Sequence, residues 1–212
     1  MFRLLTADIG RKSRFHTHRG EFISLKSFST FPLNLLMRIF KVKRNGPWIP
    51  PEAAKLLKKI LISDLGRQGR ILELGGGMST IFFSKYCSSL ITLEENTLWA
   101  NFIENKILKN CDFVLMNLSL ERWIELNYFS NLECHLAMID NGTDAERLYV
   151  TKKLSQLYPD MILVLDNSDR IAFQNIELEI KNHTAIRRIG LLRNPLQASE
   201  TTFFYPKIRA SN

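Results

Sequence analysis

Four acidic side chains each stand at or beside the end of a short apolar run: Glu73 in "RILEL", Glu94 after "LITL", Asp140 after "LAMI" and Asp166 after "ILVL". Glu73 is followed by Gly75, Gly76 and Gly77 and then by Ser79 and Thr80, while the remaining run of this kind ends at Met116–Asn117. A glycine-rich turn lets backbone come close to a bound molecule. A carboxylate beside that turn accepts hydrogen bonds from an ammonium group and favours a nearby positive charge. A second carboxylate one structural unit later can accept from both hydroxyls of a ribose. A phosphate site would call for basic residues and helix N-termini instead, so an acid-rich rim suits a cationic, hydroxyl-rich ligand. Of the neighbours Glu94 and Glu95, strand alternation sends the two to opposite faces; Glu94 is taken for the site and Glu95 for solvent. Ser79 and Thr80 have two open readings, as cofactor contacts or as caps of the next helix.

These residues need elements that bring them together. From Arg70 onward, apolar runs alternate with amphipathic stretches. "RILEL", "LITLE", "DFVLM", "CHLAMID" and "DMILVLDN" read as strands. "STIFFSKY", "NTLWANFIENKIL" (with Asn96 as cap), "SLERWIELNYF", "GTDAERLYVTKKLSQLY" and "SDRIAFQNIELEI" read as helices. Continuous apolar strands between helices imply a mostly parallel sheet covered on both faces. "TAIRRIG" and "TTFFYP" have no helix between them and are expected to close the sheet as an antiparallel hairpin. The fold class expected is therefore α/β, a doubly wound, mostly parallel seven-stranded sheet with an antiparallel C-terminal strand. In such sheets ligands bind outside the carboxyl ends of the strands, where the four acids lie. Upstream, "PPEAAKLLKKILISDLG" is a helix that starts on proline and stops before Gly66, and Pro32–Arg44 carries Leu35, Leu36, Ile39 and Phe40 at helical spacing.

The 212 residues suggest one domain with an appendage. The formal net charge of +8 rests on residues 1–46, where Arg3, Arg11, Lys12, Arg14, Arg19, Lys26, Arg38, Lys41, Lys43 and Arg44 face only Asp8 and Glu21. Residues 1–46 thus read as a basic, partly helical leader and 47–212 as the ligand-binding domain. No apolar stretch reaches the ~20 residues of a membrane-spanning helix, and no signal-peptide pattern opens the chain. Cys87, Cys111 and Cys134 lack metal-type spacing, and their odd number fits a reducing cytoplasm. The location expected is cytoplasmic, with peripheral membrane contact as an option.

S-adenosylmethionine combines an amine, a sulfonium and a ribose, and so meets the requirements of the acid-rich rim. The pyrophosphate of NAD would be repelled by Glu73, and "GGGMST" lacks the third glycine of G-x-G-x-x-G. "ILELGGGMST" with "LITLEEN" resembles the first motif and the second-strand acid of Rossmann-like (class I) S-adenosylmethionine-dependent methyltransferases. Taken with "GPWIPPEA", "AMIDNG…R" and "LVLDNSDR", it resembles a group of bacterial and plant methyltransferases with a Glu-Phe-Gly-Ser-Gly-x-Ser-Thr loop, over roughly Pro47–Pro206. The resemblance implies that Glu73, Gly75 and Gly77 line the methionine part of the cofactor and Glu94 the ribose. Gly76, Ser79, Thr80, Asn117 and Asp140 complete the cofactor-binding set expected. Two departures stand out: Gly76 replaces the usual Ser, and Asn141 separates Asp140 from Gly142.

Asp140 is the candidate base, needed only if the acceptor must lose a proton. Mg²⁺ is not expected; were a metal used, Asp140, Asp166 and Asn167 would supply oxygen ligands. Catechol-type O-methyltransferases resemble this chain in that Asp…Asp-Asn set, but their Lys three residues after the first Asp is Thr143 here. The function expected is methyl transfer to a small molecule or to a glycan or lipid hydroxyl. The alternatives are a non-catalytic S-adenosylmethionine- or nucleotide-binding module and, behind it, an NAD-dependent oxidoreductase. For the leader, the first expectation is a helical cover over the cofactor cleft and the second a contact with an anionic membrane; nucleic acid comes third, since no nucleic-acid fold signature is present. Trp48, flanked by prolines, has readings as core or as lid.

Overall fold

The structure, a computed structural model, describes residues 10–40, 46–108, 111–192 and 196–207. Seven strands form one sheet: β1 Arg70–Leu74, β2 Ser89–Leu93, β3 Asp112–Met116, β4 Leu136–Ile139, β5 Ile162–Asp166, β6 His183–Leu191 and β7 Ala198–Pro206. Their order is β3-β2-β1-β4-β5-β7-β6. β1 to β5 pair in parallel. β7 runs antiparallel to both β5 and β6, as the helix-free connection between the last two strands implies.

Period-two alternation sorts the strand residues onto two faces. Leu72, Leu74, Leu93, Ala137, Ile139, Leu163 and Leu165 meet Leu120 and Trp123 of α6 (Leu120–Glu125) and Val150 and Leu154 of α7 (Asp144–Leu157). On the other face, Ile71, Leu90, Leu136, Met138 and Val164 meet Ala53 and Leu57 of α3 (Pro51–Lys59) and Phe83 of α4 (Met78–Phe83). α3 runs into a π-helical turn, Ile60–Asp64, and α5 is Thr97–Glu104. Both faces are thus sealed, and the strand ends are the places left for a ligand.

Several helices are shorter than their periodicity suggests. "SDRIAFQNIELEI" divides into a 3₁₀ turn at Ile171–Phe173 and a short α8, Ile176–Glu179. The α6 helix stops at Glu125, and the next turn places Asn127 at positive φ. Asn is among the residues that adopt that conformation most readily.

The described part of the leader is ordered against the sheet edge. α1 is Leu25–Ser29 and α2 is Phe31–Ile39. Residues 41–44 of the expected Pro32–Arg44 helix, and the first nine residues, lie outside the described residues. Ile23, with Phe15, Phe31 and Leu35, packs against Ile189, Leu191, Leu196 and Ala198. Arginines tie the leader to the core. Arg11 lies 3.3 Å from the buried Asp169, Arg19 lies 3.6 Å from the buried Glu200, and Arg187 of β6 joins Glu21 to Glu200. Among the described residues, no helix is long and apolar enough to cross a membrane.

Candidate cofactor site

The loop after β1 is wedged between the ends of two neighbouring strands. The Gly75 and Gly76 amides both donate to the Leu93 carbonyl at the end of β2 (2.9 and 3.1 Å). On its other side, the Asp140 amide donates to the Leu74 carbonyl (2.8 Å), which fixes the turn after β4. Gly75 has φ +111°, and a Cβ there would lie 2.9 Å from Asn141 Cβ and 3.0 Å from its backbone nitrogen. Only glycine satisfies both that conformation and that approach. A Cβ at Gly76 would lie 2.8 Å from Ile103 Cδ1, 2.9 Å from Thr92 Cγ2 and 3.0 Å from Glu94 Cβ. The neighbours of this loop therefore account for glycine where the related motif carries serine. Asn141 acts as packing for Gly75, and its side-chain oxygen accepts from the Gly142 amide (2.7 Å).

A cleft of about 190 Å³, open to solvent, lies over these strand ends. It is lined by Trp48, Gly75, Gly76, Gly77, Met78, Ser79, Glu94, Trp99 and Asp140. Of the residues singled out from sequence, Gly75, Gly76, Gly77, Ser79, Glu94 and Asp140 come together here. None of residues 10–40 lines the cleft.

Glu73, Thr80 and Asn117 lie behind the lining. Glu73 is fully buried; its Oε2 accepts from the hydroxyls of Thr80 (2.6 Å) and Thr92 (2.9 Å), while its Oε1 is buried with no hydrogen-bond partner. Burial pushes its carboxyl up to about 7; the nearby hydroxyls of Ser79, Thr80 and Thr92 pull the other way, and the charge of Glu94 adds to the rise. Thr80 Oγ1 also accepts from the Gly77 amide (2.8 Å), so one hydroxyl links the glycine turn to Glu73. Asn117 donates to the Glu94 carbonyl (2.7 Å), and the Glu94 amide donates to the Met116 carbonyl (3.1 Å). Asn117 therefore holds the Glu94 backbone in place without lining the cleft. Glu94 Oε1 accepts from the Asn96 amide (2.8 Å), and Asn96 in turn caps α5. Burial raises the Glu94 carboxyl, offset by that amide.

Asp140 lines the cleft with a third of its side chain exposed. The surrounding walls push its carboxyl up to about 6, against the pull of the Arg147 and Arg170 guanidinium groups. Arg147 of α7 is buried and donates to the carbonyls of Ile139 and Asp166; its Nη2 is 3.9 Å from Asp140 Oδ1. Asp166 is buried and accepts from Thr201 (2.6 Å), with its carboxyl pushed up to about 7 by burial and by the charge of Asp140. Asn167 turns away to donate to Ser199 (3.0 Å) and accept from Arg170 (3.1 Å). The possible metal set of Asp140, Asp166 and Asn167 thus has other partners, and a guanidinium stands where a cation would be needed. These residues do not fit a divalent ion, and among the described residues no group of three or more His, Cys, Asp or Glu side chains could hold one. Thr143, in the place of the catechol-type lysine, caps α7 in a reciprocal pair with Glu146.

Three contributors were not singled out by type and spacing. Met78 and Trp99 line the cleft, and Arg147 neutralises the space between the two aspartates. Trp99 meets Trp48 edge to face, with ring centres 6.2 Å apart. A signal for Trp99 was present in the sequence: it stands three residues after the Asn96 cap, in the helical turn that directly follows Glu94.

The same architecture is found in solved methyltransferases. An O-methyltransferase from Bacillus cereus in complex with S-adenosylhomocysteine is 18% identical, with a TM-score of 0.58 over 84% of this chain and 91% of that one. The O-methyltransferase TomG from Streptomyces achromogenes, involved in tomaymycin synthesis and solved with S-adenosylmethionine, is 17% identical (TM-score 0.55; 87% and 91% covered). An rRNA methylase from Streptococcus thermophilus is 14% identical (TM-score 0.55; 78% and 98% covered). No protein-family model matches the sequence, and no curated protein matches it. At these identities the likeness speaks for the fold: the chain has the Rossmann-like architecture of class I S-adenosylmethionine-dependent methyltransferases, with the antiparallel seventh strand inserted between β5 and β6.

Proposed function

We propose that the chain is an S-adenosylmethionine-dependent methyltransferase that uses the cleft over β1, β2 and β4. The observation that carries this reading is the cleft in which the Gly75–Gly77 turn meets Glu94, with the buried carboxyl of Glu73 directly behind the turn. A ligand amine seated over the turn would place its positive charge near that carboxyl and favour its ionised form. Glu94 would accept from the ribose hydroxyls. Gly77 lines the cleft, and an added Cβ there meets nothing within 4 Å, which leaves room for a ligand close to the backbone.

S-adenosylmethionine supplies an electrophilic methyl group on a positively charged sulfur. The work left to the protein is to hold the acceptor in line with it and keep competing water out, and such positioning can supply most of the rate. Asp140, in the cleft with a carboxyl raised to about 6, has the proton affinity of a general base near neutral pH and would take the proton of an acceptor hydroxyl. Trp48 and Trp99 give the cleft an aromatic wall, which suits a small molecule or an amphiphile. The acceptor class proposed is a hydroxyl of a small molecule, a glycan or a lipid.

Calorimetric titration with S-adenosylhomocysteine, S-adenosylmethionine and NAD tests the cofactor. Micromolar binding, about −8 kcal/mol, is expected for the first two and none for NAD. Methyl transfer from labelled S-adenosylmethionine to a panel of hydroxyl acceptors then separates an enzyme from a binding module.

A further inference from the structure

Between Phe22 and Pro51 the chain has no Asp or Glu, while Lys26, Arg38, Lys41, Lys43 and Arg44 fall within it. α1 and α2 lie in this stretch. One side of α2 is used by the fold, where Phe31 and Leu35 pack towards Ile23, Leu191 and Ala198. The other side is apolar as well. Leu33, Leu36, Ile39 and Phe40 recur at helical spacing and are 58, 51, 57 and 74% exposed, and α1 adds Leu25 at 82% and Phe28 at 41%. Six large apolar side chains exposed on or just past two consecutive short helices, of which Phe28 also packs its ring against Phe15 and Phe22, are of the kind that marks an interaction surface.

The structure also narrows down the charge. Of the leader's basic residues, Arg11 is committed to Asp169 and to the carbonyls of His16 and Ala198, Arg14 to the Leu196 carbonyl, and Arg19 to the carbonyls of Ser168 and Phe173 beside Glu200. Among these residues, the positive charge on the apolar helices themselves is that of Lys26 and Arg38.

A partner for this surface must accept apolar side chains and bring negative charge to their flanks. A second copy of the chain, related by a two-fold axis, would set the same acid-free patch against itself. A nucleic acid would take the charges but gain little from Leu25, Leu33, Leu36 and Ile39, since it is bound through phosphate contacts and base stacking on aromatic rings. The interface of an anionic bilayer meets both requirements: apolar side chains enter the acyl boundary and basic residues face the headgroups. We propose that α1 and α2 form a docking surface for an anionic lipid bilayer, with Leu25, Phe28, Leu33, Leu36, Ile39 and Phe40 as the inserting residues.

The test is sedimentation of the full chain with phosphatidylcholine vesicles, with and without phosphatidylglycerol. Binding is expected only with phosphatidylglycerol and should weaken as salt shortens the range of the attraction. Leu36→Asp with Ile39→Asp should lower the partition coefficient at least tenfold, and Lys26→Glu with Arg38→Glu by about tenfold or more. Circular dichroism and thermal melting should stay unchanged in both, because the substituted side chains are not core residues; Leu36→Ser serves as the milder variant if the double aspartate melts early. Three results would overturn the proposal: no sedimentation with anionic vesicles at low salt; binding that the apolar variants leave intact, the behaviour of a polyanion site; or a dimer in light scattering that the apolar variant turns into a monomer while vesicle binding is absent.

Discussion

Glu73→Gln tests the buried carboxyl on which the cofactor site rests. In the native protein Glu73 is sealed among apolar strand residues and holds its proton up to about pH 7, against an ordinary value of 4.5. The unfolded chain gives up that proton near the ordinary value. Between the two the native state binds more protons than the unfolded state, so this group's contribution is fully present below 4.5 and is lost as pH rises through about 7. From about pH 5.5 to about pH 8 the loss comes to about 2 kcal/mol. Glutamine keeps an oxygen to accept from Thr80 and Thr92 and cannot ionise. Urea unfolding of both proteins at the two pH values should show the wild type losing about 2 kcal/mol more than the variant. Asp140 and Asp166, with carboxyls at about 6 and about 7, add losses of the same sign; that of Asp166 recurs in both proteins, while the part of the Asp140 rise that comes from the Glu73 charge disappears with the variant and adds to the difference in the same direction. A ligand amine over the glycine turn would favour the ionised form of Glu73 behind it, so S-adenosylhomocysteine affinity should rise with pH in the wild type and stay flat and weaker in the variant. A gap between the two proteins that does not change with pH would refute the reasoning.

Glu94→Ala should weaken S-adenosylhomocysteine by roughly 1.5–3 kcal/mol in calorimetry, the worth of hydrogen bonds to a charged group; unchanged affinity would remove Glu94 from the site. Gly75→Ala forces a side chain at φ +111° and onto Asn141, and should lower stability by about 2 kcal/mol or more, read as a drop in Tm along with lost cofactor binding. Arg147→Met leaves Asp140 and Asp166 facing each other without their cation and should cost about 3–5 kcal/mol. That cost should be smaller at pH 5 than at pH 8, because both carboxyls are protonated at the lower pH; a cost independent of pH would separate Arg147 from the aspartates. Methyl transfer should survive EDTA undiminished, since Arg147 already provides the cation beside Asp140 and Asp166; restoration of lost activity by Mg²⁺ would overturn that.

The sheet and the floor of the cleft were legible in the sequence because both follow from local patterns. Each apolar run followed by an amphipathic stretch is a strand–helix unit, and such units place every strand's carboxyl end on the same edge. Glu94, Asp140 and Gly75–Gly77 could therefore be located by reading the ends of the runs. The antiparallel close of the sheet was legible for a similar reason, as two strand patterns with no helix between them.

The depth of each side chain was decided only in three dimensions. Glu73 and Glu94 both stand near the ends of their runs, yet Glu73 lies inside β1 with Thr92 of the neighbouring strand directly opposite, while Glu94 is one residue past β2 and reaches the cleft. Asn117 was read at the end of β3 and Thr80 as a cofactor contact or a cap of α4, but their side chains donate to Glu94 and Glu73, contacts set by the tertiary fold. The two aspartates left a metal open as an option, and the fold sets Arg147, seven residues beyond Asp140 along the chain, beside them. The pairing of Trp48 with Trp99, and the packing of residues 10–35 on β6 and β7, join parts of the chain far apart in sequence. Local periodicity determined which elements form and where their ends lie; which side chains meet depended on the order β3-β2-β1-β4-β5-β7-β6, a property of long-range packing that no local pattern encodes.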